Sequence, residues 1–584
     1  MSPRRQRTGL TRLWRYTEGR RRRAALVMTL AGISAAAPVV GWHLVGEAID
    51  NGIRAGDEGY LTRIVIAYVG VQAVAWLLGS VMWMMLAGVG QRMVLELRRD
   101  LFDHLTSLSL RYFSEQKAGW IIARLTSDVD ALSDVLNQGL TTLVVNVLTL
   151  VAAIGGLFLL DWRLGLVALV VLPPGIVVTR WFQRTSHVAF GEVRTRIAAV
   201  TAQLAESVSG MAVVQAFGRE RAFQREFEDL NQENRAANVH AQKLSSVFFP
   251  AIELLGAIAT VLVLFAGALM IDGGSLEIGT LVAAVGLLQL VFQPLQELSE
   301  LYGQVQAASA AMEKISTVLD QERDISDKPG ARPLARVDGR LELDGVVFAY
   351  GSKEVIHGIS IDIPVGGCIA LVGESGGGKS TTAKLIARFY DPREGAVRVD
   401  GIDLRDVQLR SYRRQLGVVL QDPFLFSGTI ADNIRFGRPE ATEDEVVAAA
   451  AAVGVDRIAA RFEDGLHHVV REGGAGLSAG ERQLISIARA LLADPRILIL
   501  DEATSNIDRP SEILIERAFD RLLAGRTSVI IAHRLATVRR ADEILVLDHG
   551  RIVQRGTEQE LLGMDGPFRR LAATLHGTAV RKVA

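Results

Sequence analysis

The sequence predicts an α-helical domain with six membrane spans, fused to a C-terminal α/β domain. Three observations lead to this fold class. The chain has 584 residues, of which 49% are hydrophobic, so it is too long for one ordinary domain and too apolar for two soluble ones. Long apolar runs fill the N-terminal half, and all seven tryptophans lie in the first third. From about residue 340 onward, strand-like and helix-like segments alternate, as is typical of α/β domains.

Six apolar runs are long enough to cross a bilayer as helices. They cover residues 24–45, 64–87, 140–160, 164–182, 247–271 and 278–295. A helix needs ~20 residues to cross ~30 Å of hydrocarbon. One such run could be a buried core helix, but six together favour membrane spans. The first run is too long for a signal peptide and no small-residue cleavage site follows it, so we expect it to remain as an anchor.

Basic residues predict the orientation of the spans. Arginines crowd the N-terminus and occupy positions 20–23, whereas the loop at 46–63 contains only Arg54 and Arg63. The N-terminus is therefore predicted to be cytoplasmic. The long arginine-rich connections at 88–139 and 183–246 are then cytoplasmic too, and their helical spacing predicts that the membrane helices continue into them. We expect two elbows there, at 111–119 and 215–220, where a soluble domain could push.

Charge and cysteine content exclude several classes of protein. Lys and Arg number 64 against 65 Asp and Glu, which leaves a net charge of −1 and predicts no nucleic-acid partner. Cys368 is the one cysteine, so neither an internal disulfide nor a thiolate metal site is expected. The chain turns polar near residue 321 and carries Pro329 and Pro333. We predict a membrane domain at 1–320, a linker at 321–339 and the α/β domain at 340–584.

A phosphate-binding loop follows the predicted strand at 368–372. Its sequence, GESGGGKS, matches G-x-x-x-x-G-K-S between a strand and a helix. The glycines let backbone N–H groups converge on phosphate oxygens, and the next helix presents its positive end. Lys379 is expected on the β/γ-phosphates and the Ser380 hydroxyl on Mg²⁺. This pattern predicts a P-loop NTPase whose nucleotide-binding residues include Gly373, Ser375, Gly376, Gly377, Gly378, Lys379, Ser380 and Thr381.

Two carboxylates follow the apolar strand at 497–500. Asp501 could hold the magnesium through water, and Glu502 could orient or deprotonate the attacking water. An ordinary surface pair is disfavoured, because acids at the end of a buried strand need a cation. His533 follows another apolar strand, at 528–531, and could contact the γ-phosphate. Considered alone, this histidine is more typical of a structural role.

The segment LSAGERQ at 477–483 resembles the signature of ATP-binding cassette (ABC) proteins, Leu-Ser-Gly-Gly-Gln. Tyr350 resembles the family's adenine-stacking aromatic, Gln421 its Q-loop glutamine, 505–508 its D-loop and His533 its switch histidine. The resemblance covers the whole chain and implies an exporter half-transporter of the type IV fold, similar to multidrug and lipid exporters. It implies ATP and Mg²⁺ as cofactors. By resemblance, the catalytic residues are Gln421, Glu502 and His533, and the metal-binding residues are Ser380, Gln421 and Asp501.

The same resemblance implies a domain-swapped dimer of two ABC half-transporters. Each signature then closes over the nucleotide of the other subunit, through Ser478, Gly480 and Asp508. Two departures bear on the partner. Ala479 adds a methyl group where close backbone approach is wanted, and Glu481 places negative charge near an anionic ligand. Neutral drift could explain both, but altered signatures also occur in asymmetric pairs of this family, so we predict a heterodimer over a homodimer.

The expected function is ATP-driven export of a hydrophobic or amphipathic substrate, such as a drug, a lipid or a peptide-like molecule. The spans are rich in Leu, Val, Ala and Met and contact membrane lipids. Glu253 is the acid predicted within a span, hence a candidate substrate site, although it lies only ~10 Å from the inner end and could be solvated there. One alternative is a metal-chelate importer. Another is a channel-like regulatory subunit, but the presence of the catalytic acid Glu502 argues against that one. We expect a bacterial inner membrane with a cytoplasmic nucleotide-binding domain.

Overall fold

A computed structural model describes residues 21–501, 509–532 and 535–580. The chain divides into two compact units. The first contains the residues up to Ser107 together with Gln116–Gln321. The second contains Leu108–Glu115 and the chain from Glu322 onward. The short segment Leu108–Glu115 thus belongs to the second unit although it is flanked in sequence by the first.

Long helices make up the first unit. They are α1 (Arg21–Glu47), α2 (Glu58–Thr106), α4 (Ala118–Leu125), α5 (Ser127–Asp134), α6 (Leu140–Leu160), α7 (Trp162–Ser209), α8 (Met211–Ala216), α9 (Glu220–Asp272) and α10 (Ile278–Leu319), while α3 (Leu110–Glu115) belongs to the second unit. Among the described residues, six helical stretches are long and apolar enough to cross a membrane. Each predicted span lies within one of α1, α2, α6, α7, α9 and α10, which confirms the six-span membrane domain.

Several of these helices are much longer than a bilayer requires. α2 has 49 residues, α7 has 48 and α9 has 53, whereas ~20 residues suffice for a span. Polar caps set where they begin. The Asp161 carboxylate accepts hydrogen bonds from the N–H groups of Arg163 at 2.8 Å and Leu164 at 3.4 Å, so it separates α6 from α7 in a tight turn.

Side-chain packing and one distant cap hold the spans together. Phe182 of α7 stacks on Phe248 of α9 with ring centroids 4.0 Å apart. Asp50, which follows α1 in a π-helical turn at Ala48–Ile53, accepts hydrogen bonds from the N–H groups of Gly279 at 2.7 Å and Thr280 at 3.2 Å. The start of α10 is therefore capped by a residue from the end of the first span.

The positions of the two elbows differ in detail from the prediction. The first comprises a turn after α2, the short helix α3 and a second turn before α4. The second contains α8 between Gly210 and residues 217–219, so it begins earlier than residue 215. The reason is that Gly210 ends α7 and the intervening residues form a helical turn of their own, whereas only the break near Gly218 was anticipated.

The second unit is built on two main sheets. One is antiparallel, with strands β1 (Leu341–Tyr350), β2 (Lys353–Ile363), β4 (Glu394–Val399) and β5 (Ile402–Asp403) in the order β2-β1-β4-β5. The other contains β3 (Cys368–Val372), β6 (Leu416–Val419), β9 (Ile497–Asp501), β10 (Thr527–Ile531), β11 (Glu543–Asp548) and β12 (Arg551–Gly556) in the order β12-β11-β3-β10-β9-β6. β7 (Gly428–Thr429) and β8 (Val469–Val470) form a small ribbon.

Helices surround these sheets. They are α11 (Lys379–Ile386), α12 (Leu409–Arg413), α13 (Ile430–Arg435), α14 (Glu443–Val453), α15 (Val455–Ala459), α16 (Ala479–Leu492), α17 (Arg509–Leu523), α18 (Leu535–Val538), α19 (Glu558–Gly563) and α20 (Pro567–Val580). Strands β3, β10, β9 and β6 are adjacent and parallel. Ile531 pairs with both Leu371 and Asp501, so the carboxyl ends of these strands meet at one edge, where α/β sheets bind ligands.

Candidate nucleotide site

The loop between β3 and α11 has a backbone that glycine must supply. Gly373, Gly376 and Gly378 have φ angles of 145°, 87° and 105°, a region that side chains disfavour. A Cβ atom on Gly373 would lie 2.1 Å from the carbonyl oxygen of Leu547. The loop therefore keeps its path only with glycine at these positions, as a phosphate-binding loop requires.

The start of α11 is suited to an anion. Gly378 holds the cap position before the helix and offers no side-chain acceptor, so the first N–H groups suit an anionic ligand. Ser375 and Ser380 are exposed, while Thr381 is buried. A phosphate chain fits this arrangement of backbone donors and exposed hydroxyl groups.

Lys379 lies across the loop. Its Nζ donates hydrogen bonds to the carbonyl oxygens of Gly373 at 2.8 Å and Glu374 at 2.9 Å. Burial lowers the pKa of the Lys379 ammonium below its ordinary value, and the charge of Asp501 opposes that shift without reversing it. The loop thus holds a buried cation close to the end of β9, where an anion would relieve the cost of its burial.

Tyr350 stands beside the same helix. Its hydroxyl group lies 3.4 Å from Oγ1 of Thr381. Its ring makes edge-to-face contacts with Phe348 at 4.9 Å and Tyr390 at 5.3 Å between centroids. These contacts fix the ring plane of a half-buried aromatic side chain next to the phosphate loop, which suits a base-stacking position.

Two further predicted residues lie at or just beyond the same sheet edge, and three lie outside the described residues. Asp501 is the last residue of β9, and Gln421 follows β6 and is exposed. With the Ser380 hydroxyl, their oxygens are of the type that Mg²⁺ prefers. Three predicted residues, Glu502, Asp508 and His533, lie outside the described residues.

The signature segment opens helix α16. Ser478 Oγ accepts a hydrogen bond from the Glu481 N–H at 3.3 Å, and Glu481 Oε2 accepts one from the Ser478 N–H at 2.8 Å. These reciprocal bonds form a capping box. The other carboxylate oxygen of Glu481 makes an ion pair with Arg461. The Glu481 charge, expected to face a ligand, is therefore already paired within the second unit.

Two hydrogen-bonded side chains that the sequence did not predict, Arg489 and Asn433, hold the segment after Gln421. We call this pair the bracket. Arg489 of α16 donates to the carbonyl oxygens of Asn433 at 2.8 Å and Phe424 at 3.2 Å, and to Asn433 Oδ1 at 3.0 Å. Asn433 in turn accepts from the Phe426 N–H at 2.9 Å and donates to the Phe426 carbonyl at 2.9 Å. The sequence did contain a signal for this contact, because an arginine among the apolar positions of an amphipathic helix needs buried hydrogen-bond acceptors.

The first unit contains a second missed cluster. Asn146 of α6, only 7% exposed, donates to Glu297 Oε2 at 2.8 Å, and Gln293 donates to Glu297 Oε1 at 3.0 Å. In the described part of the chain, no cation lies within ion-pair distance of Glu297. Glu253, the acid singled out from the sequence, is exposed on α9. Glu297 was not predicted as an acid within a span because the predicted sixth span ends at residue 295.

Comparisons with known proteins agree with this geometry. Residues 25–295 match the family described as the ABC transporter transmembrane region, and residues 356–505 match the one described as ABC transporter. An uncharacterized ABC transporter ATP-binding protein of Bacillus subtilis is 37% identical over 533 residues, covering 91% of this chain and 88% of that protein. A multidrug efflux ATP-binding/permease protein of Mycobacterium bovis is 36% identical over 554 residues, or 94% of this chain and 46% of that protein. This chain thus spans about half the length of that relative.

A solved structure leads to the same family. The structure of a bacterial Atm1-family ABC exporter with ATP bound has a TM-score of 0.80 and 28% identity to this chain, and the match covers 97% of this chain and 98% of that one. Among the described residues, six membrane-long helices precede a glycine-rich phosphate loop, and the two regions match the two families that describe the membrane region and the ATP-binding region of ABC transporters. The chain therefore belongs to the ABC transporter family, as an exporter-type half-transporter whose C-terminal domain binds ATP and hydrolyses it to drive transport.

Proposed function

We propose that this chain is one half of an ATP-driven exporter of hydrophobic or amphipathic molecules, such as drugs, lipids or peptide-like compounds. The observation that carries this proposal is the presence in one chain of six membrane-long helices and a P-loop domain. Apolar side chains dominate the membrane helices, and one relative is named a multidrug efflux protein. Both facts favour an apolar substrate over a multiply charged one.

The roles we assign at the nucleotide follow from the chemistry of each group. Lys379 and the loop N–H groups would bind the β/γ-phosphates, and Tyr350 would stack on adenine. Magnesium, bound with ATP, would neutralise phosphate charge, with Ser380, Gln421 and Asp501 as the residues that hold it. Glu502 would orient and deprotonate the attacking water, and His533 would contact the γ-phosphate.

We place the nucleotide-binding domain in the cytoplasm of a bacterial cell, with the chain in the inner membrane. Arginines at the N-terminus and in the long connections support this orientation by the positive-inside rule. The Bacillus subtilis relative supports a bacterial context. The two elbows would then carry the movement of the cytoplasmic domains to the membrane helices.

Direction of transport is the decisive test of this proposal. We suggest sealed inside-out vesicles with the nucleotide-binding domains facing the medium, to which ATP and a fluorescent hydrophobic amine or a labelled lipid are added. ATP-dependent accumulation inside the vesicles is expected, and vesicles containing Glu502→Gln are the control. Movement in the opposite direction would indicate an importer, and ATP-independent flux would indicate a channel.

We further propose that the functional dimer is a heterodimer. Ala479 in the signature supports this, because a methyl group stands where the family has glycine. The relative twice as long has room for two different halves in one chain. Expressed alone, this chain should form poor or inactive dimers and should co-purify from its host with a second half-transporter. A chain that purifies alone as a dimer with substrate-stimulated ATPase and two equivalent nucleotides would contradict the heterodimer.

A further inference from the structure

The signature of this chain carries an acid at the point where the facing subunit's nucleotide would approach. We infer that Arg461 is a positioning residue that neutralises Glu481 and so allows an acidic signature to receive an ATP triphosphate. The inference rests on the proposed function, since it needs a dimer in which the signature faces nucleotide. It adds to that function the residue that allows this unusual signature to bind the facing subunit's ATP.

Each oxygen of the Glu481 carboxylate has its own partner. Oε2 accepts the Ser478 N–H at 2.8 Å, and Oε1 is paired with the Arg461 guanidinium. The Glu481 side chain is only 13% exposed, whereas that of Arg461 is 55% exposed. Water therefore screens the carboxylate poorly, and a full negative charge there would repel an incoming phosphate. The guanidinium lies where it cancels that charge.

Arg461 is held in place by its own surroundings. It follows α15 by two residues, and its guanidinium carbon lies 5.6 Å from the centroid of the Phe462 ring. Phe462 in turn stacks on His468 at 3.6 Å. This support limits the conformations of a long side chain, so less conformational entropy is lost when the ion pair forms.

The arginine that follows Glu481 in sequence is engaged elsewhere. Arg482, next to Glu481 in sequence, donates to the carbonyl oxygen of Leu477 at 2.8 Å. Among the described residues, Arg461 is the cation within ion-pair distance of Glu481. Loss of Arg461 would thus leave a poorly hydrated carboxylate at the signature with only a helix N-terminus to stabilise it.

A double-mutant cycle separates this role from a merely structural one. The variants are Arg461→Met, which keeps an apolar stem against Phe462, Glu481→Gln, which keeps the capping geometry without charge, and the two combined. Arg461→Lys is the charge-conserving control. All are made in this chain of the assembled transporter in lipid nanodiscs, with Glu502→Gln here and no catalytic acid at the matching position of the partner half, because this chain's signature covers the partner's nucleotide. The readout is the ATP concentration that gives half-maximal retention of radiolabelled ATP after rapid dilution.

We expect Arg461→Met to raise that ATP concentration about tenfold when Glu481 is present, and Arg461→Lys to raise it much less. In the Glu481→Gln background, Arg461→Met should change it by less than about twofold. An equal loss of ATP affinity in both backgrounds would mean that Arg461 only supports the fold. No loss of ATP affinity in either background would mean that the Glu481 charge does not affect nucleotide binding. Both results overturn the inference. Absence of ATP retention in the parent transporter would instead count against the proposed function.

Discussion

Lys379 illustrates how burial and one neighbouring charge act on a single side chain. The residue is 6% exposed, and burial lowers the pKa of its ammonium group while Asp501 opposes the shift. Bound phosphates would add negative charge and raise the pKa again. ATP should therefore bind with full affinity as long as Lys379 is protonated in both the nucleotide-free and the ATP-bound protein. The affinity should fall as pH rises through the lowered pKa of Lys379 in the nucleotide-free protein.

The expected outcome is a decline in ATP affinity that begins at a pH below the ordinary pKa of a lysine side chain, which titration with a fluorescent ATP analogue would measure. Lys379→Arg is the matched control, because guanidinium stays protonated at such pH values. An equal decline in both proteins would assign the pH dependence to another group.

Tyr350 carries the second prediction at this scale. Tyr350→Ala should weaken ATP binding by about 1 to 2 kcal/mol, since an aromatic face on a base contributes at that scale and the phosphate contacts remain. Tyr350→Phe keeps the ring and loses only the 3.4 Å contact to Thr381, so it should bind nearly as well as the parent. If Tyr350→Ala binds ATP normally, Tyr350 is merely an aromatic residue at a strand end.

Glu297 carries a third prediction, about the substrate. Its carboxylate has two amide donors and lies just beyond the predicted sixth span, so we expect it to favour cationic amphiphiles. Glu297→Gln should weaken stimulation of ATPase by a cationic amphiphile about tenfold and leave stimulation by a neutral one unchanged. Glu253→Gln, on an exposed acid, is the control. Equal effects of the two substitutions would remove the case for Glu297.

At the scale of elements, the bracket of Arg489 and Asn433 joins three segments. Arg489 belongs to the signature helix α16, Asn433 belongs to α13, and Phe424 and Phe426 lie in the segment that follows Gln421. Asn433 is only 2% exposed and its hydrogen bonds to Phe426 and Arg489 are half-buried, so each partner lost there leaves a polar group poorly hydrated. The bracket therefore ties the Q-loop segment to the helix that carries the signature.

Asn433→Ala should loosen this segment and destabilise the domain by about 2 kcal/mol. Hydrogen exchange on the purified transporter should show faster exchange at the Phe426 amide, which now donates to Asn433 at 2.9 Å. Asn231→Ala, at an exposed asparagine of α9, serves as control. Unchanged exchange at residues 424–429 would show that the bracket does not order the Q-loop segment.

At the scale of the whole molecule, two units with different solvents share one chain. The first hides its backbone polar groups in long helices, as hydrocarbon demands. The second has a sheet core in which the carboxyl ends of four parallel strands meet at one edge, and the glycine-rich loop follows one of them. Coupling requires that chemistry in one unit control movement in the other.

Glu502→Gln tests that coupling. ATP binding should persist, because Lys379 would still hold the phosphates and Ser380 the magnesium, while steady-state ATPase of the assembled dimer should fall about 100-fold at the site this chain builds. Substrate transport in vesicles should fall in parallel. Residual ATPase within a few-fold of the parent would refute the role assigned to Glu502.

The sequence by itself determined the features that are contiguous along the chain. Six spans could be counted because crossing hydrocarbon requires one unbroken apolar run for each helix, and all six are present. The phosphate loop could be recognised because a tight turn, a lysine and a helix start must follow one another directly. Element ends such as the second elbow were less predictable, since a short helical turn can form between two glycines.

Only the tertiary structure decided which distant residues meet. Glu297 meets Asn146 across 151 positions, and Arg489 reaches Asn433 across 56. Leu108–Glu115 proves to belong with the second unit, and Glu481 finds its counter-charge in Arg461. No pattern in neighbouring residues of the sequence predicts such pairs. Each pair depends on how separate elements pack and on where burial makes a hydrogen bond or a counter-charge necessary.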